Sequence, residues 1–134
     1  MKTLQIVSAM IELGAGLALL CCPSAAVGRL VGAPLEGRAA LTVARVCGAG
    51  LLALGVACWL ARGDTQSLAS NGLVAAMLLY DVAVAAILAY AAIENGLYGV
   101  ALWPAVILHT VMSVWCVACL RRSSLKLSLL EFKS

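Results

Sequence analysis

Four apolar runs, at about 3–22, 39–61, 73–93 and 99–120, each reach the roughly 20 residues that a helix needs to cross a bilayer core. None contains more than one Asp, Glu, Lys or Arg. Backbone groups in hydrocarbon must be satisfied within the segment that carries them, so runs of this length predict helices. A transmembrane β-barrel requires alternating segments of about ten residues, and the sequence has none. The pattern therefore predicts an all-α fold, a four-helix transmembrane bundle occupying residues 1–122, with a cytoplasmic interfacial tail at 123–134.

Composition excludes the soluble alternative. The chain of 134 residues is 64% hydrophobic and only 11% charged, against about 25% charged in an ordinary soluble domain. The net charge of +3 is spread along the chain with no Lys/Arg stripe, and aromatics make up only 5%. Both facts argue against a nucleic-acid partner. No G-x-G-x-x-G or G-x-x-x-x-G-K-[ST] run is present to cradle a phosphate.

Local signals separate the runs. Pro23 follows the first and cannot continue its hydrogen bonding. Residues 25–31 have the composition of a short amphipathic surface helix. Arg62-Gly63-Asp64 ends the second run, with Ser70 or Asn71 as the expected cap of the third. Asn95-Gly96 marks a turn, and Pro104 stands in the first turns of the fourth run, where its missing N–H costs little. Lys2 and Ser24-Ala25-Ala26 loosely resemble a cleaved leader, but Glu12 interrupts its hydrophobic core and the run is too long. It is therefore read as a retained span.

Lys2, Arg62, Arg121, Arg122, Lys126 and Lys133 fall on one side of this topology, and only Arg29 and Arg38 on the other. The positive-inside rule then predicts a multi-pass inner (plasma) membrane protein with both termini cytoplasmic. Membrane lipids are the expected partners, together with a larger membrane complex or a homo-oligomer.

Charge inside a span costs about 2.5–3.5 kcal/mol on insertion scales and points to function by default. The spans carry Glu12, Arg45 and Asp81, with His109 in the fourth. Glu12, Asp81 and His109 lie near the middle of their runs, and Arg45 roughly 7 Å outward. Gln5, Ser8, Glu12 and Gly16 share one face by helical spacing, as do His109, Ser113 and Cys116. Met77, Leu78 and Ala85 flank Asp81, while Tyr80 points about 100° away from it. Ala44 and Gly48, beside Arg45, form a small-xxx-small pair that invites close helix approach. The expected arrangement has Arg45 salt-bridged to Glu12, Asp81 or both, with His109 in reach. Such a cluster either fixes helix register or forms a polar midplane pocket or proton relay. The ligand-binding or relay candidates are Glu12, Arg45, Asp81, His109, Ser8, Tyr80 and Ser113, with no catalytic residue and no metal ligand among them.

Cys116-Val117-Ala118-Cys119 is a C-x-x-C, the one motif that invites an enzyme reading. Thiolate chemistry favours the N-terminus of a helix. This pair closes a helix on the predicted cytoplasmic, reducing side. Cys58 lies at similar depth, yet no fourth ligand is available for a metal. The cysteines are therefore read as packing residues. A haem held by the lone His109 would need Met10 or Met77 as its second ligand, and no cofactor is expected, with quinone or haem the alternatives.

Pro23, the segment Gly32-Ala33-Pro34-Leu35, and Ala44-Arg45 leading to Leu51-Leu52-Ala53-Leu54-Gly55 resemble small bacterial DoxX-like proteins over the first two spans. The resemblance implies a four-helix membrane protein, in some members associated with quinone-linked sulfur oxidation. Vitamin K epoxide reductase also has four spans and a C-x-x-C, but its active pair belongs to the outer side. Small multidrug resistance transporters share a glutamate in the first span and lack counterparts of Arg45 and Asp81. Ile11-Glu12-Leu13-Gly14 and Tyr80-Asp81-Val82-Ala83, 69 residues apart, hint at a two-helix duplication. The resulting expectation is a binding or accessory protein without catalytic activity; a quinone-linked redox protein and a proton-coupled small-molecule transporter are the alternatives.

Overall fold

The computed structural model describes residues 1–64 and 67–131, with side chains given through residue 125. The described residues form five helices and no strand: α1 (Lys2–Cys21), α2 (Pro23–Val31), α3 (Arg38–Ala61), α4 (Leu68–Ile93) and α5 (Leu102–Glu131). Four of them, α1, α3, α4 and the stretch Leu102–Leu125 of α5, are long and apolar enough to cross a membrane.

Helix ends follow the local chemistry. Pro23 begins α2 directly after Cys22, whose N–H still bonds the Ala18 carbonyl at 2.9 Å. Gly32 ends α2 at φ +74°, a left-handed conformation that glycine adopts without steric cost. The cap of α4 is Ser67, not Ser70 or Asn71. Its hydroxyl accepts from the Ser70 N–H at 3.0 Å and donates to Asp64, which also accepts the Ser67 N–H at 3.1 Å. The helix thus starts five residues before the third apolar run, because the polar turn Leu68–Gly72 is helical once capped. At the other end of the chain, α5 passes through Arg121 and Arg122 without a break and continues to Glu131. Of the expected tail, residues 132–134, with Phe132 and Lys133, lie outside the described residues.

The bundle consists of two antiparallel hairpins, α1 with α3 and α4 with α5. Small residues make the first pair tight. A Cβ on Gly48 would stand 2.9 Å from the Gly16 carbonyl oxygen, and one on Gly16 would stand 2.8 Å from that of Gly48. A Cβ on Gly55 would meet the Leu13 backbone nitrogen at 3.0 Å. Ala44, Gly48, Gly55 and Cys58 are the buried line of α3, and the close approach expected of Ala44 and Gly48 is made by α1.

The hairpins meet through a core of Leu4, Ala9, Cys58, Val74, Met77, Met112, Cys116 and Cys119. Every one of these lies in the half of the bundle that holds the N-terminus of α1. At the opposite end α2 links the hairpins. Its Arg29 carbonyl accepts from the Ala101 N–H at 3.0 Å, and the Gly99 backbone lies directly against the Leu30 carbonyl, where no side chain would fit.

A candidate polar site between the hairpins

From the middle of the bundle to the N-terminal end of α1, the inward faces of α1, α4 and α5 carry buried polar side chains beside the apolar core. Gln5, Ser8 and Glu12 follow one another on α1 at helical spacing, each only 2% exposed. From α4 come Ser70 and Asp81, and from α5 His109 and Ser113, all buried. Glu12 and Asp81 sit on the two helices that run in the same direction, so their carboxyl groups approach the centre from different hairpins.

Asp81 and His109 pair directly, with His109 Nδ1 2.7 Å from Asp81 Oδ1. The Tyr80 ring stands edge-on to the imidazole, centroids 5.6 Å apart and planes at 83°. Tyr80 is half-buried and packs against the shared core. Sequence reasoning aimed it away from Asp81, and that direction carries it to the His109 ring.

Arg45 is absent from this group. It is exposed on α3 and forms no ion pair among the described residues, which corrects the expectation of an Arg45 salt bridge to Glu12 or Asp81. The reason lies in the small-residue line. Ala44, Gly48 and Gly55 are drawn against α1, and Arg45, about 100° around the helix from Ala44, is turned to the outer surface. Antiparallel packing also sets Gly48 opposite Gly16, so Arg45 lies beyond it, well over a turn from the level of Glu12. The acid-to-base pairing falls to His109 instead.

Two members were outside the sequence-based candidate set. Gln5 Nε2 donates to Ser70 Oγ at 2.9 Å, a buried bond between the two hairpins. Gln5 was legible as a neighbour of Ser8 and Glu12 on one face; Ser70 read as a helix cap, and only the true cap at Ser67 frees it for this role. Acceptors outnumber donors in this seam. Gln5 Oε1, Glu12 Oε2 and Asp81 Oδ2 are buried without a hydrogen-bond partner, as is the Ser8 hydroxyl. An unpartnered buried polar atom is costly and is normally supplied by a water or a bound molecule.

A hydrolase triad is not assembled. The Ser113 hydroxyl donates to the His109 backbone carbonyl at 2.9 Å, the back-bond that serine makes within a helix, instead of addressing the imidazole. Cys58, Cys116 and Cys119 are buried free thiols, and Cys21, Cys22 and Cys47 are free and exposed. No cluster of three or more metal-ligating side chains occurs among the described residues. No family model, curated protein or solved structure matches the chain.

Proposed function

We propose that this chain is a multi-pass membrane protein, termini on the cytoplasmic side, that binds a small guest carrying hydrogen-bond donors and positive charge in the seam between its hairpins. The carrying observation is the imbalance at Glu12 and Asp81. Each keeps one buried oxygen without a partner, Gln5 Oε1 and the Ser8 hydroxyl are unpartnered on the same side, and His109 is the only basic group among these side chains. Two carboxyls beside one imidazole leave an excess of acceptors and of acidic groups, and a protonated amine complements both.

The test is titration of small alkylammonium ions into the purified protein in nanodiscs, followed by thermal unfolding. Saturable stabilisation that is lost in Glu12→Gln and in Asp81→Asn supports the reading. An unfolding temperature indifferent to every such ion removes it.

A second reading, a proton-coupled transporter of such a guest, is favoured by the direct Asp81–His109 pair with Glu12 buried in the same seam, which lets a proton and a cation compete for one set of groups. It predicts release of protons into a weakly buffered solution when the guest binds. The quinone-linked redox role implied by the DoxX-like resemblance asks for donors to a quinone's carbonyl oxygens. Here a Gln5 amide N–H is already committed to Ser70. A quinone absorption band in the purified protein would reverse that preference.

A further inference from the structure

Arg45 is the charged side chain within the apolar spans that the polar seam leaves out. It lies seven residues into α3, about 10 Å along the axis from Arg38. Arg38, Thr42 and Arg45 follow at i, i+4 and i+7 and share one face of the helix, and all three are exposed. Around them the surface is apolar, with Val43 62% and Val46 66% exposed. Thr42 has turned its hydroxyl back to the Arg38 carbonyl at 2.9 Å. The acids at this end of the bundle, Glu36 and Glu94, are exposed and pair with neither arginine among the described residues.

On the membrane-spanning reading, this face meets lipid. An unpaired guanidinium there is costly in hydrocarbon and reaches along the helix toward the headgroup level, where Arg38 already stands. Two guanidinium groups then converge on one strip of surface with no protein acid to neutralise them. A guanidinium fork binds phosphate oxygens in pairs, which a hydrated ammonium does not. We infer that Arg38 and Arg45 form a binding site on α3 for the phosphodiester of an anionic phospholipid.

The site is independent of the guest proposed for the seam and can fail without it. Its test uses the full chain in phosphatidylcholine nanodiscs with and without phosphatidylglycerol, the bound lipid being counted by native mass spectrometry after mild extraction. Wild type is expected to retain phosphatidylglycerol in preference to phosphatidylcholine. That preference falls about fivefold for Arg45→Gln and further for Arg45→Gln with Arg38→Gln. Glycerol phosphate in solution is expected not to compete, because the acyl chains hold the headgroup at the site. Competition by glycerol phosphate, no preference in wild type, or an undiminished preference in the double variant overturns the assignment. A photoreactive phosphatidylglycerol applied to wild type provides a check without substitution. Adducts at 37–46 support the site, and adducts confined to the Arg121-Arg122 end refute it.

Discussion

Asp81 and His109 make a buried 2.7 Å contact at the centre of the bundle, and its removal from one side should be costly. Asp81→Leu is expected to destabilise the fold by about 3–5 kcal/mol, the usual penalty for stranding one member of a buried pair. Adding His109→Leu should return part of that loss, since two apolar side chains leave nothing unpartnered. Denaturant unfolding in detergent, followed by circular dichroism, measures the cycle; strictly additive losses would mean that the 2.7 Å contact contributes no coupling. Arg45→Leu supplies the contrast. It has no ion-pair partner in the fold to strand, so its loss should fall well short of that of Asp81→Leu. At this scale the sequence was a good guide to which residues are polar and buried, and a poor one to their partners. Glu12, Asp81 and His109 could be placed at one depth by counting along their runs. The choice between Arg45 and His109 depended on how far each helix is rotated about its axis, and on α3 that rotation is set by Gly48 and Gly55 meeting α1.

Elements were legible where hydrophobicity defines them and less so where capping or propensity does. The first two spans fall within a residue of their apolar runs, and the short helix after Pro23 is present as α2. The start of α4 shifted because Asp64 and Ser67 cap it before hydrophobicity begins. The far end of α5 shifted because residues 121–131 contain no Gly or Pro to stop a helix. Glycine placement on α3 separates two kinds of position. Gly48→Ala should cost about 1–3 kcal/mol, because its new Cβ meets backbone and the α1–α3 pair has to part. Gly50→Ala should be neutral or slightly stabilising, since nothing lies within 4 Å of the added carbon. Unfolding midpoints of the two variants, compared under one detergent condition, decide the point. Thiols divide in the same way. A maleimide should alkylate Cys21 and Cys22, at the end of α1, in the folded protein, and Cys58, Cys116 and Cys119 only after unfolding. Early modification of Cys116 would place the shared core elsewhere.

For the molecule as a whole, the charge distribution predicts that a reporter active only outside the cytoplasm stays silent when fused after Ser134 and is active when inserted at Gly37. The opposite result inverts the orientation. Packing is also unequal along the bundle axis, and this has a mechanical meaning. Two long levers are riveted at the end that holds Leu4, Val74 and Met112, and clipped at the other by α2 lying on the 99–101 turn. Loosening the clip should let the free ends separate while the rivet, with Gln5 and Ser70 beside it, stays shut. Gly99→Val is the substitution that does so, because any side chain there collides with the Leu30 carbonyl. Amide exchange should then quicken in α2 and in the neighbouring turns of α1 and α4, leaving the protons around Ser8 and Val74 as slow as before. The molecule would work as tweezers whose fulcrum lies at the end holding the N-terminus of α1, with jaws that part toward the end closed by α2.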